Sequence, residues 1–343
     1  MIINNFSLKK LNKYNYSNLI CWKYILLKII SNYGQFGNNV FIMISGYFSI
    51  SKTTFNINKF LILIFEVYTY YYPSIYIGKK LSEIYKNLKF PNYSSFHIYF
   101  PILSPNGNWF IQIYLSLLIF TPFINIGLLN LNKKKYKNLV VLIILFYCIL
   151  NSIIHYFNLR SIVFLTTPLI RLLLSYIIGG YIKIYNLNYK FIWKKIGIFY
   201  FIFSIFSEII LDLLSKKFKN YNYILFKIYL SFNINSFMSI IGSMGIIFLF
   251  KNFSFYSKKI NWISSSVLGI YLIHGNKNIS PYIYNIWFAT NNVKDNSFFV
   301  KYIIKGILIL LISLIIDIIR RYTIGLLFNK ILSKIIFNNS IRK

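Results

Sequence analysis

Long apolar runs set the terms for this chain. They fall near residues 36–50, 57–78, 109–129, 138–154, 162–185, 196–214, 224–250, 262–274 and 300–320, with short polar segments between them. Crossing the hydrocarbon core of a bilayer as a helix takes ~20 predominantly apolar residues. Lipid also admits only backbone whose polar groups are satisfied internally. The pattern predicts an all-α polytopic membrane protein, a bundle of about nine transmembrane helices. Composition agrees: 57% of residues are apolar and 13% charged, against the quarter or so that a water-facing domain carries.

Three segments follow from this reading. Residues 1–33 are polar to interfacial, 34–320 form the transmembrane domain, and 321–343 make a basic cytoplasmic tail. Within the first, NLICWKYILLKII (18–30) carries Lys23 and Lys28 and reads as an interfacial stretch rather than a span. The longest segment outside the spans, 79–108, ends in FPILSPNGNW, where Pro101, Pro105 and an Asn-Gly pair mark a structured turn. Assigning alternate loops to the two sides collects 19 basic residues on one and 15 on the other. The bias places the C-terminus in the cytoplasm.

A net charge of +32 raises the question of nucleic acid, and the distribution excludes it. Lysines and arginines lie between apolar runs rather than on one surface. Ile, Asn, Lys, Phe and Tyr are inflated together, the mark of a coding bias. The scarce types therefore carry more information: five Arg, six acids and three His. Cys21 and Cys148 are far apart and give neither a metal spacing nor a disulfide framework.

Charges within the spans are functional candidates by default, because burying them in hydrocarbon is costly. Glu66 lies mid-span in LILIFEVYTYY and Arg171 mid-span in TTPLIRLLLSYIIGGY. Each fits either an interhelical ion pair or the wall of a substrate cavity. Glu208 and Asp212 share a helix face near Lys216 and Lys217, which suits a headgroup-level pair. Asp317 precedes Arg320 and Arg321 by three and four residues, so that group is expected to pair locally and anchor the helix end. His97 and His155 read as incidental. His274 closes SSSVLGIYLIHGN, where an imidazole can cap the helix electrostatically or move a proton. No P-loop, dinucleotide-binding glycine pattern, HExxH or GxSxG occurs.

Four stretches, in order, carry a resemblance. FGNNVFIMISGYFSIS (36–51), NWFIQIYLSLLIFTPFIN (108–125), RLLLSYIIGGYIKIYN (171–186) and SSSVLGIYLIHGNKNISPYIYNIWF (264–288) are similar to segments of the membrane-bound acyltransferase 3 family. That resemblance implies a ten-helix fold, here apparently without its first helix. It implies an O-acyltransferase that moves an acyl group, commonly acetyl, from acyl-CoA to a hydroxyl of a cell-envelope carbohydrate or lipid-linked glycan. The class is an acyltransferase of groups other than aminoacyl, multi-pass in the cell membrane, with acyl-CoA as donor substrate and no permanently bound cofactor.

By the same resemblance, His274 and Glu66 are the catalytic candidates. Lys52, Lys59 and Arg171 are candidates for the CoA phosphates, and Ser45, Gly46, Trp109 and Tyr271 for substrate contact. In the family a histidine of the first helix is the presumed base, and no histidine precedes His97 here. Three readings stay open: a reading frame that starts late, a non-catalytic chain, or substitution of the base by another residue, for which His274 is the one placed. A transporter or flippase for an envelope polysaccharide intermediate, lined by Glu66 and Arg171, is the alternative of a different class.

Overall fold

The computed structural model describes residues 37–88, 90–103, 108–146, 168–185, 195, 199, 237–251, 255–287 and 297–341. Helices, turns and short connections make up these residues, with no strand among them. In chain order the principal helices are α1 (37–49), α2 (Ile57–Ile84), α3 (Trp109–Leu129), α4 (Lys133–Ile144), α5 (Pro168–Ile184), α6 (Phe237–Lys251), α7 (Lys258–Ser264), α8 (Val267–His274), α9 (Phe298–Arg320) and α10 (Leu326–Ile341). The expected span at 196–214 apart from residue 199, residues 147–154 of that at 138–154, 162–167 of that at 162–185 and 224–236 of that at 224–250 lie outside the described residues, as do Cys21, Cys148, His155, Glu208 and Asp212.

Sequence accounts for where several helices start. Asn56 Oδ1 accepts the Lys59 amide at 2.9 Å and Asn132 Oδ1 accepts that of Lys135 at 2.9 Å. Both satisfy donors that the first helical turn leaves orphaned. Among the described residues three helices are long and apolar enough to cross a membrane: Ile57–Ile84, Trp109–Leu129 and Phe298–Lys334. The last joins α9 to α10 through a π-helical turn at Arg321–Gly325. The expected span at 262–274 is instead two short helices, α7 and α8, separated at Ser265 and Ser266. On α9 the buried residues Phe298, Tyr302, Ile309, Ser313 and Asp317 form one stripe. Exposed Ile and Leu cover the rest, the pattern of a lipid-facing helix.

The described residues divide into two compact units. The first takes 37–55 and 113–251, the second 56–112 and 255–341. In the first unit α1 and α5 meet almost backbone to backbone. A Cβ at Gly46 would collide with the Tyr176 backbone, and one at Gly179 with the Met43 backbone. Small residues permit such approaches in lipid, where packing and hydrogen bonds replace the hydrophobic drive. The Ser-Gly interruption of the first apolar run is thus a helix crossing. Ser45 beside it bonds the Phe41 carbonyl at 3.0 Å.

Polar side chains then stitch the unit together. Asn39 donates to Ser239 Oγ at 2.9 Å and accepts from Ser175 Oγ at 3.2 Å, linking α1, α6 and α5. Tyr176 donates to Asn125 Oδ1 at 2.9 Å, and the Asn125 amide reaches the carbonyls of Ser49 and Lys52 at 2.7 Å each. The α1–α5 crossing predicts that Gly46→Ala and Gly179→Ala each destabilise the protein by about 1–3 kcal/mol through overpacking. Gly306→Ala, at a site where a Cβ meets nothing within 4 Å, leaves stability within about 0.5 kcal/mol. Thermal unfolding of the three variants in detergent micelles checks the contrast.

Candidate functional site

The second unit concentrates the chain's scarce charges. Its helix α2 buries Leu63, Val67, Tyr70, Tyr71, Ser74 and Gly78 along one face, with Glu66 at the border of that face. Asp317, on the buried stripe of α9, has no exposed surface at all. Arg320 bridges the two acids: its Nη2 lies 2.9 Å from Glu66 Oε1 and 2.8 Å from Asp317 Oδ1. Its Nε donates to Tyr70 Oη at 2.8 Å, and Tyr70 donates in turn to Asp317 Oδ1. Arg321 Nε sits 3.1 Å from Asp317 Oδ2, an ion pair without the alignment of a hydrogen bond.

Two carboxylates facing two guanidiniums make the cluster close to neutral, which is the arrangement that buried charge requires. Helix α8 packs against it through Gly269, where a Cβ would strike the Asp317 carboxylate and the Tyr70 hydroxyl. Farther along, Arg321 lies 5.4 Å over the Trp262 ring and bonds Ser265, while Trp262 donates to Tyr322 at 3.1 Å.

Tyr70 also lines a small open pocket, with room for about one water molecule. Its polar wall is made by Tyr70, Tyr71, Asn108, Gln112, Asn276 and Lys277. The turn that follows α8 forms part of that wall, and its own hydrogen bonds hold it. The Asn278 amide N–H donates to Asn276 Oδ1 at 2.9 Å, and Asn278 Nδ2 donates to Ser74 Oγ at 2.8 Å. Tyr93 also donates to Asn278 Oδ1. Burial pushes the Tyr93 phenol well above its ordinary pKa, so it stays a donor.

His274 ends α8, 7% exposed, with Nδ1 2.5 Å from the Ile270 carbonyl oxygen and no partner on Nε2. A carbonyl only accepts, so Nδ1 carries the proton and Nε2 presents a lone pair. Ile270 precedes the last four residues of α8, so the contact orients the ring and does not cap an orphaned carbonyl. Tyr271 stands edge-on to His274 with centroids 6.0 Å apart and to Phe110 at 5.5 Å, and Phe110 is in edge contact with Trp109.

A family model described as an acyltransferase domain, that of the acyltransferase 3 family, matches residues 12–318. The chain belongs to the acyltransferase 3 family. Comparison with curated proteins and with solved structures gives no match. The matched region begins upstream of residue 34, where the resemblance by motifs starts, and takes in the stretch at 18–30. All of that acyltransferase 3 sequence before Gly37 lies outside the described residues.

Against this acyltransferase fold the sequence candidates separate into groups. Tyr271 and His274 come together through a ring contact, whereas Trp109 touches only its neighbour Phe110, which in turn meets Tyr271. Glu66 joins Arg320 and not Arg171; Arg171 lies on α5 in the first unit, and its side chain is outside the described residues. Ser45 and Gly46 belong to the α1–α5 crossing. Lys52 and Lys59 are exposed, the first after α1 and the second at the start of α2. His97 accepts no buried role: its Nδ1 lies 2.9 Å from Ser94 Oγ at an exposed position. The expected local pairing of Asp317 with Arg320 and Arg321 is present, but it is buried and reaches Glu66 on α2.

The sequence gives no hint of Asn108, Gln112, Asn276 or Asn278, whose residue types are common throughout this chain. Arg320→Gln leaves Glu66 and Asp317 without their shared cation, which costs about 3–5 kcal/mol for a buried carboxylate left unpaired. In a double-mutant cycle, Glu66→Gln is far less harmful on the Arg320→Gln background than in wild type. Unfolding midpoints in micelles give both numbers, and an Arg320→Gln protein as stable as wild type contradicts the assignment.

Proposed function

We propose that this protein is a cell-membrane O-acyltransferase that moves an acyl group, acetyl as the simplest, from acyl-CoA to a hydroxyl of a cell-surface carbohydrate. The observation that carries this reading is the family match across residues 12–318. The reaction requires removal of the hydroxyl proton, attack of that oxygen on the thioester carbonyl, cleavage of the C–S bond and release of the CoA thiol carrying a proton. A positioned base is the main contribution a side chain makes to such a step.

In our reading His274 Nε2 takes the hydroxyl proton. Its ring is held by the Ile270 carbonyl and is largely screened from water. Glu66 acts indirectly: its carboxylate is committed to Arg320, so it fixes α2 against α9 rather than exchanging protons. Tyr271 flanks the base, and Trp109 and Tyr271 are assigned to shape the acceptor's approach. Lys52 and Lys59 supply exposed cations for the phosphates of the donor, whose charge demands such partners, and Arg171 is assigned the same role.

The test uses the full chain in lipid nanodiscs with radiolabelled acetyl-CoA and glycan isolated from the same cell envelope. Wild type transfers label to the glycan. His274→Ala and His274→Gln lower kcat by about 10²–10⁴-fold while circular dichroism and unfolding midpoint stay at wild-type values. Full activity in both variants removes His274 from the base role. Absence of transfer by wild type to every envelope glycan tried sinks the acyltransferase reading of this chain.

A further inference from the structure

Helix α7 carries apolar surface that its own packing does not cover. Every residue from Lys258 to Ser265 is exposed, including Ile260, Trp262 and Ile263, and so are Phe255 and Tyr256 just before it. A helix of seven residues is too short to hold itself in water, and a contiguous row of exposed apolar side chains marks an interaction surface. Side chains tie α7 to the end of α9. Trp262 Nε1 donates to Tyr322 Oη at 3.1 Å, the Arg321 guanidinium lies over the Trp262 ring, and Arg321 donates to Ser265 Oγ.

These ties fix the depth of α7. Exposed Ile and Leu run along α9 as far as Ile319. The 23 residues of α9 extend ~34 Å at ~1.5 Å each, about the thickness of one hydrocarbon core. Arg321 and Tyr322 follow where α9 ends, and rings with one apolar and one polar end settle at such a boundary. Lys258 and Lys259 lie four and three residues before Trp262, so both neighbour it on the helix surface. Exposed ammonium groups stay out of hydrocarbon, whereas Ile260, Trp262 and Ile263 gain by entering it. Helix α7 therefore straddles the boundary, its apolar side chains toward the acyl chains and its lysines among the headgroups.

Charge decides which headgroups. Among the described residues neither lysine pairs with an acid. Glu66 and Asp317 are committed to Arg320 and Arg321, and Glu83 pairs with Lys80 near the opposite end of α2. Arg321 is itself occupied by Asp317 and Ser265, so it orients Trp262 and leaves the lipid phosphate to the two lysines. A zwitterionic headgroup brings an amine that cancels its phosphate, and an anionic one does not.

We infer that α7 is an interfacial anchor that binds an anionic phospholipid, with Lys258 and Lys259 on its phosphate and Trp262, held by Arg321 and Tyr322, at the top of its acyl chains. The inference goes beyond the acyl-transfer reading and does not rest on it.

Native mass spectrometry of the full chain in detergent tests it, with dioleoyl phosphatidylglycerol and dioleoyl phosphatidylcholine as probes. Wild type binds phosphatidylglycerol more tightly than phosphatidylcholine. Lys258→Gln/Lys259→Gln weakens phosphatidylglycerol roughly 20- to 30-fold, about 5-fold for each lysine, and leaves phosphatidylcholine unchanged. Lys79→Gln/Lys86→Gln makes the same change of charge at exposed positions by the opposite end of α2 and leaves both affinities unchanged. Equal losses in the two double variants reduce the preference to net charge and overturn the inference. So does a wild type without preference, an undiminished preference in Lys258→Gln/Lys259→Gln, or displacement of phosphatidylglycerol by acetyl-CoA, which would hand the lysines to the donor. The expected lipid preference in a protein that transfers no acetyl group upholds the anchor and removes only the acyl-transfer reading.

Discussion

A carboxylate with no exposed surface, on a helix whose other faces are almost wholly apolar, is the constraint around which the second unit is built. Asp317 cannot stay charged there without cations and hydrogen-bond donors close by. Arg320 and Arg321 come from the next turn of the same helix, so α9 supplies its own countercharges. Two guanidiniums then require a second acid, and Glu66 on α2 provides it. Tyr70, one turn after Glu66, closes the loop by donating to Asp317 and accepting from Arg320. Such clusters add little net stability compared with apolar packing, but they fix register, because sliding either helix by one residue strands a charge. The bare Cα of Gly269 follows from this: α8 can lie against the cluster only where no side chain intrudes.

Among its described residues, the first unit packs α1 against α5 without charge. Gly46 and Gly179 bring α1 and α5 into backbone contact, and the polar groups that proximity exposes are neutral. The phenols of Tyr176 and Tyr136 find Asn125 and the Ile177 carbonyl at 2.9 Å each. Asn39, Ser175 and Ser239 satisfy one another. In lipid there is no hydrophobic gain from bringing two apolar helices together, so close van der Waals contact and such neutral bonds carry the association.

Much of this architecture was legible in the order of residues. Apolar runs gave the helices at 57–78, 109–129 and 300–320 close to their observed positions, because hydropathy over a span is a strong, local signal. The same signal failed at 262–274, where the pair Ser265–Ser266 divides one apolar run into two helices. The partner of Glu66 was not legible: Arg320 is 254 positions away, and nothing in a periodic pattern reports contact across that distance. Arg171, equally apolar in its setting, was an equally good candidate on sequence grounds. Local pairing of Asp317 was readable from its spacing to Arg320 and Arg321. Its burial was not, since that depends on α2 and α8 packing over it. The asparagines of the cavity were hidden by abundance, for a residue type inflated throughout a chain cannot point to a site.

The turn from His274 to Asn278 shows how a short segment obtains chemical direction from its own backbone. A carbonyl four residues back decides which imidazole nitrogen is protonated, and an amide N–H two residues ahead decides which end of Asn276 is oxygen. One backbone acceptor and one backbone donor thereby produce, two positions apart, a side chain that can take a proton and one that can give a hydrogen bond. Neither orientation depends on a distant charge, so neither varies with the state of the Arg320 cluster. Asn278 then fastens the whole turn to α2 through Ser74, on the buried face that also carries Val67, Tyr70 and Tyr71. An ionic lock that sets helix register and a turn that sets proton direction therefore meet on a single helix.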